Sequence, residues 1–560
     1  MPYRSPLTEF RFLLDRVVPL APVAATERFG MAQPDMAEAA LTEAARLCDD
    51  VLAPLNRSGD QHPARLENGV VRSSPGYAEG YRALAAGGWV ATSAPEECGG
   101  MGLPQTLTAC INDMMSGACI ALQLNPLLTQ GQIEALEHHA SDAIKALYLP
   151  KLISGEWSGT MNLTEPQAGT DVGALRTKAE PAGDGTYRIT GQKIFITWGD
   201  CDFTGNVCHL VLARLPDGVA GVKGISLFMV PKFIPGADGR PGVRNALKVV
   251  SLEHKMGIHG SPTCVMAFEA ATGWLVGAPH QGMAAMFTMM NNARLAVGVQ
   301  GVGVAEAALQ AAVAYALDRR QMGRIADHPD VRRMLATARA DIFAARAIAL
   351  SCAVAIDLAR ATGDAVQKAR AAFLTPIAKA FGSEVGMAVT DMAVQVHGGM
   401  GYVEETGVAQ FYRDVRITAI YEGTNGVQAM DLVGRKLMDG GEAAFRLLDE
   451  VEAGAEAARA ALPELAGEVW SAAETLREAT EWLVSKGSDD RSAGAMAYLR
   501  AFARVLGAHF HLRAALADPA RRPLAELYVR RLLPQFTAHL AEAKAGAAGL
   551  MALDPEGLAG

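Results

Sequence analysis

Residues 186–199 read "TYRITGQKIFITWG", with β-branched and aromatic residues interleaved with polar ones and a closing glycine. A period of two is the mark of a half-buried strand. "CHLVLARL" (208–215), "ISLFMVPKF" (225–233) and "TCVMAFEAA" (263–271) follow in the same manner, punctuated by Gly, Pro and Asp. Together they predict a compact β-domain over 158–276. Apolar residues recur at helical spacing on both sides of it. The expected fold is therefore mainly α with a central β-domain. Segregated strands and helices exclude the alternating parallel α/β class.

Upstream, residues 1–35 mix proline, charge and aromatics and predict an arm or short helices lying on the body. "MAEAALTEAARLCDDVLAPLNRSGD" (36–60) opens a stretch whose spacing predicts an all-helical domain over 36–157. Downstream, 277–440 reads as a helical bundle rich in small residues, suited to close helix contacts. Gly440-Gly441 forms a plausible hinge, and 441–560 is Ala-rich and helical again, an extra helical domain. No internal repeat is evident.

At 560 residues the chain exceeds a single ordinary core, and half of it is hydrophobic. The net charge of −9 argues against nucleic acid as main partner, since phosphate binding needs clustered Lys and Arg. None of the eight cysteines forms a C-x-x-C pair, which predicts reduced, cytoplasmic usage. The N-terminus has no long apolar stretch of a signal peptide, and no uninterrupted apolar span reaches transmembrane length. No G-x-G-x-x-G follows a strand, no G-x-S-x-G appears, and no His or Cys cluster has metal-ligand spacing.

Five stretches carry possible chemistry. "MNLTEPQAGTD" (161–171) offers hydroxyls and exposed backbone N–H groups to a polar heterocycle, or is an ordinary turn. Phe195 and Thr197 end a strand, where an aromatic face could cover a cofactor ring and a hydroxyl add one hydrogen bond. Arg319, Arg320 and Gln321 end a helix, where arginine complements the helix dipole or binds a phosphate. "QVHGGMGY" (395–402) has three glycines that let backbone approach a ligand, or form a helix cap. "IYEGTNG" (420–426) puts one carboxylate, Glu422, into a glycine-rich turn.

In this order, with "HKMGIHGSPTCVMAFE" (254–269), "ALDRRQMG" (316–323) and "IYEGTNGVQ" (420–428), these stretches resemble the acyl-CoA dehydrogenase flavoproteins over about 36–440. The family's architecture is an N-terminal helical domain, a middle β-domain and a C-terminal four-helix bundle. The segment after 440 resembles a longer branch acting on methylthiopropionyl-CoA or medium- to long-chain acyl-CoA. The resemblance implies FAD and α,β-dehydrogenation of an acyl-CoA to trans-2-enoyl-CoA in fatty acid β-oxidation. It also implies an electron-transfer flavoprotein as acceptor and a homodimer or homotetramer.

By the same resemblance, Thr164 and Thr197 hydrogen-bond the flavin ring and Phe195 stands beside it. Gly169 and Thr170 line the ribityl–pyrophosphate path, and Thr424 also meets FAD. Arg319, Gln321, Gln395, Gly398 and Gly399 reach the FAD of a neighbouring subunit. Glu422 matches the catalytic base, and Arg294, Tyr421 and Gly423 the substrate contacts. In one subset of the family the base instead precedes the arginine matching Arg294. Ala293 stands there and cannot take a proton. Asn291 replaces an acidic residue three before that arginine, and Gly426 a glutamine that touches FAD. Rival readings are an acyl-CoA oxidase, and a C-terminal domain whose arginines (Arg491, Arg500, Arg504, Arg513, Arg521, Arg522, Arg530, Arg531) bind nucleic acid or a membrane surface.

Overall fold

The computed structural model describes residues 3–559, except the side chains of Asn291 and Asn292, so the expectation at Asn291 lies outside the described residues. Helices Gly282–Asp318 and Ala365–His397 touch backbone to backbone. A β-carbon on Gly298 would lie 2.4 Å from the Ala378 carbonyl oxygen, and one on Gly301 2.4 Å from that of Gly382. Small residues in both helices are what permit this approach. Helix Pro329–Thr362 joins them. It ends on Gly363 in the left-handed region (φ 72°), and Asp364 opens the next helix by accepting from the Val366 N–H at 2.8 Å.

Helix Gln105–His139 crosses this bundle and is kinked at Cys119 (φ −161°, ψ 85°). Contrary to the sequence expectation, three helices among the described residues are long and apolar enough to cross a membrane: Gln105–His139, Gly282–Asp318 and Pro329–Thr362. Their most apolar windows are mostly buried in the fold, at 100%, 83% and 78%. Helices surrounded by other helices are apolar all round, and composition does not separate them from membrane spans.

The central sheet has seven strands, in the order Leu247–Leu252, Thr263–Val276, Tyr187–Thr197, Lys178–Pro181, Asn206–Arg214 and Trp157–Asn162. The seventh, Ile225–Pro231, pairs with both Thr263–Val276 and Asn206–Arg214, so the sheet closes on itself. Val211, Ala213, Phe228 and Val230 point into one core with Ile189 and Phe268. Leu210, Leu212, Leu227 and Met229 point the other way, against the helices around Ile144 and Leu152. The alternation read in the sequence is this two-faced burial.

A second expectation fails. The region 36–157 is not all helical: Arg65–Glu67 and Val70–Arg72 form a hairpin about Asn68 (φ 51°) and Gly69 (φ 74°). Val71 is fully buried in the β-domain core, which draws this segment out of the helical layer.

The first and last segments of the chain meet. Arg521 binds Glu9 at 2.6 Å and lies over the Phe12 ring at 4.4 Å, while Arg346 binds Asp113 at 2.9 Å beneath Phe10. Helix Ser488–Ala517 packs on the bundle through Phe502 against Phe373 and His511 against the Ala340 carbonyl. Of the eight arginines considered for nucleic acid, Arg500 pairs with Glu384, Arg504 with Asp341, Arg521 with Glu9, Arg522 with Glu526 and Arg530 with Glu464. These carboxylates neutralise most of that charge within the chain.

Candidate active site

Thr164 and the end of strand Tyr187–Thr197 are joined by the Ile194 N–H, which donates to the Thr164 carbonyl at 2.9 Å. The loop bearing Thr164 is fixed by its neighbour Glu165. That carboxylate accepts from buried Lys193 at 2.9 Å, from the Arg176 N–H at 2.7 Å and from the Thr177 N–H at 3.0 Å. Burial raises the Glu165 pKa, but Lys193 and the Thr177 hydroxyl outweigh it and hold the carboxyl below its ordinary range. Gly169 and Thr170 lie exposed on the far side of this turn.

The strand ends with two left-handed residues, Phe195 (φ 59°) and Trp198 (φ 51°). The Trp198 indole is buried and donates to the Ala121 carbonyl at 3.1 Å, while the Phe195 ring is 59% exposed. Neither the Thr164 nor the Thr197 hydroxyl has a hydrogen-bond partner among the described residues. An exposed aromatic ring, with an unpaired hydroxyl at Thr197 on the same strand and another at Thr164 on the loop bonded to that strand, fits a polar heterocycle such as a flavin.

Glu422 lies on a turn with φ 55°, followed by Gly423 at φ 85°. Thr424 then caps helix Asn425–Asp431 by accepting from the Val427 N–H at 3.2 Å. Gln428 donates to the Glu422 carbonyl at 3.2 Å, and a β-carbon on Gly423 would strike its Nε2 at 2.7 Å. The Tyr421 hydroxyl donates to Gln300 Oε1, and Gln300 donates to Gln123 Oε1 at 2.7 Å. Thus helix Gln105–His139 holds both halves of the site within three residues, the strand end at Ala121 and the Glu422 turn at Gln123.

Glu422 Oε2 is sealed from solvent and accepts no hydrogen bond from the described residues. Burial raises its carboxyl to about 7, against opposing pulls from Arg294 and Lys379. Arg294 is buried and faces Asp431 at 3.5 Å, which Arg435 also holds at 2.5 Å. Ala293 is buried and apolar. The Glu422 backbone N–H has no acceptor among the described residues. A carboxylate that can change charge near neutrality, beside an unused N–H donor, can take a proton from an acid made stronger by that donor.

Arg319, Gln321, Gln395, Gly398 and Gly399 form an exposed rim. It is tied together by Tyr315 stacked on His397 at 4.2 Å. His397 Nδ1 donates to the Ala393 carbonyl at 2.7 Å, a helix contact. Among the described residues no hydrogen bond or ring contact joins this rim to Thr164, Thr197 or Glu422. Nor is any group of His, Cys, Asp and Glu placed to hold a metal.

Sequence reasoning missed Lys379, Asn425, Gln428, Gln300, Gln123 and the structural part of Glu165. Lys379 carried a signal: it is a lone cation within "PIAKAF". The glutamine pair, 177 residues apart, carried none.

Four family descriptions match in the order of the structure. They are "Acyl-CoA dehydrogenase, N-terminal domain" at 35–156, its middle domain at 160–271, its C-terminal domain at 280–438, and "Acetyl-CoA dehydrogenase C-terminal like" at 447–554. The chain belongs to the acyl-CoA dehydrogenase family. As a dehydrogenase of this family it is an FAD-dependent oxidoreductase acting on acyl-CoA thioesters. The 3-methylmercaptopropionyl-CoA dehydrogenase of Ruegeria pomeroyi is 47% identical over 81% of this dehydrogenase and 79% of its own length. The butyryl-CoA dehydrogenase structure from Megasphaera elsdenii is 29% identical, with a TM-score of 0.62 over 72% of this chain and 98% of that one. Caenorhabditis elegans ACDH-11 in complex with C11-CoA covers more, 94% of this chain and 91% of its own at a TM-score of 0.79. At 19% identity it speaks for the fold, extension included.

Proposed function

We propose that Glu422 is the base that removes the α-proton of the bound acyl-CoA, and that the substrate is a short acyl chain of the 3-methylmercaptopropionyl class. The observation that carries the first part is the sealed, unpartnered Oε2 of Glu422. A thioester α-proton is too weakly acidic for an ordinary carboxylate in water, and two properties of the turn narrow that gap. Burial makes the carboxylate a stronger base. The unused Glu422 N–H can donate to the thioester carbonyl as negative charge develops on its oxygen, as an oxyanion hole does. The proton ends on Glu422, and the Cα–H electron pair becomes part of the new Cα=Cβ bond. Thr164, Thr197, Phe195, Gly169, Thr170 and Thr424 would hold the FAD beside it. FAD, when bound, supplies the acceptor of the β-hydrogen and its electron pair.

Identity of 47% to a 3-methylmercaptopropionyl-CoA dehydrogenase supports the substrate class. An electron-transfer flavoprotein is proposed as the acceptor and a homo-oligomer as the working form. The exposed rim at Arg319 and Gly398 supports the latter, since among the described residues no hydrogen bond or ring contact joins it to Thr164, Thr197 or Glu422. Eight unpaired cysteines support a reducing compartment, the cytoplasm.

The test is anaerobic flavin bleaching by 3-methylmercaptopropionyl-CoA, butyryl-CoA and longer thioesters. Glu422→Gln should remain yellow and fail to bleach; bleaching at the wild-type rate removes Glu422 as base. Faster bleaching by long-chain thioesters would overturn the substrate class. Peroxide formed in air at the turnover rate would replace dehydrogenase by oxidase.

A further inference from the structure

Lys379 is fully buried in helix Ala365–His397, between Ile377, Ala378, Ala380 and Phe381. Among the described residues no carboxylate is in ion-pair contact with it. Its ammonium donates to Asn425 Oδ1 at 2.9 Å. A buried cation held by a neutral amide is costly, and a leucine or methionine would fill the place at less cost. Such an arrangement needs another reason.

Asn425 is the first residue of helix Asn425–Asp431, three after Glu422. Ser383, one turn beyond Lys379, donates to the same Oδ1 at 3.1 Å, and Asn425 Nδ2 approaches Ser383 Oγ at 3.0 Å. Lys379 and Ser383 therefore grip the far side of the turn that presents Glu422. The charged groups facing Lys379 are Glu422 from that turn, Arg294 from helix Gly282–Asp318, and Glu384 from its own helix. Glu384 is already engaged by Arg500 at 2.8 Å. The cations facing Glu422 are Arg294 and Lys379. Arg294 divides its charge between Glu422 and Asp431, whereas Lys379 has no carboxylate in ion-pair contact among the described residues.

We propose that Lys379 is a positioning residue for the proton-abstracting carboxylate: it fixes the Glu422 turn through Asn425 and supplies the positive charge that keeps Glu422 ionised. The proposal rests on Glu422 being the base. Burial lowers the Lys379 pKa to about 8, with Glu422 pulling the other way, so the ammonium is charged at neutrality and loses its proton above that.

The experiment uses the FAD-loaded protein and two readouts. One is infrared titration of the Glu422 carboxyl band, assigned by its loss in Glu422→Gln. The other is the pH profile of anaerobic flavin reduction by 3-methylmercaptopropionyl-CoA or butyryl-CoA. Lys379→Gln keeps a donor for Asn425 and removes the charge. It should move the Glu422 band to higher pH and slow reduction at about pH 6 roughly tenfold more than at about pH 8.5. Lys379→Arg should restore both. The wild type should show a second, smaller displacement of the Glu422 band near pH 8 as Lys379 loses its proton, a readout that needs no variant. An unmoved band and profile in yellow Lys379→Gln, or no displacement in the wild type, overturns the proposal while leaving Glu422 as base. Full-rate reduction by Glu422→Gln overturns both.

Discussion

Gln428 Nε2 donates to the carbonyl oxygen of Glu422 at 3.2 Å, across a turn whose two central residues are both left-handed. The amide is buried and also lies 3.4 Å from the Gly423 carbonyl. It fixes which way the Glu422 peptide faces. Gln428→Leu should keep the fold and the flavin but lower the rate of flavin reduction about tenfold or more. Its stability should fall by about 0.5–1.5 kcal/mol, for two half-buried carbonyls that lose their donor. Stopped-flow reduction and chemical denaturation check the two effects separately.

Gly423 has φ 85°, and a β-carbon there meets Gln428 Nε2 at 2.7 Å. Gly423→Ala therefore meets both backbone strain and a clash with the side chain that holds the turn. We expect a loss of about 1–3 kcal/mol and near-complete loss of flavin reduction with FAD still bound. Gly426→Ala is the control. A β-carbon at Gly426 meets only Thr424 Oγ1, at 3.7 Å, and the change should cost little.

The Glu422 carboxyl sits near 7, raised by burial above its unfolded value of about 4.3. Between those values the folded protein binds more protons than the unfolded chain, so this group's contribution to stability falls as pH rises from about 4.3 to about 7 and is flat above. Glu422→Gln removes that slope. Relative to the wild type, the variant should gain about 3 kcal/mol between about pH 4.5 and about pH 8. Denaturant midpoints across that range test the sign.

Glu165 and Lys193 form a buried pair beneath the Thr164 loop. Glu165→Gln leaves the ammonium without its partner and should cost about 3–5 kcal/mol. FAD affinity should fall with it, because the same carboxylate anchors Arg176 and Thr177. Its carboxyl is held below the unfolded value, so its stabilisation is present above about pH 4.3 and lost as the pH falls further. Flavin release followed by fluorescence during acid titration is the check.

The change of period at Trp157, the small residues of the bundle and the Glu422 turn were legible because each is local. The hairpin at 65–72 was missed. Asn68-Gly69 is a hairpin-turn pair, but the strands around it are three residues each and half polar. The contacts that hold the Glu422 turn and set its charge were not legible. Lys379, Gln300 and Gln123 reach the turn from helices far away in sequence, and a local period reports which face is buried, not what a buried polar group touches. Glu165 sits inside a recognisable motif, yet its partner Lys193 lies 28 residues on, in another strand.

The bond between Arg521 and Glu9 has a bearing on synthesis. Helix Leu7–Phe12 leaves the ribosome long before the guanidinium that covers it, 512 residues on from Glu9, and before the helix at Ser488–Ala517. Until then the apolar faces around Phe10, Phe343 and Phe373 lie open. A nascent chain of this dehydrogenase cannot finish its helical body domain by domain. It must be kept from aggregating until the helix at Ser488–Ala517 and Arg521 have been made.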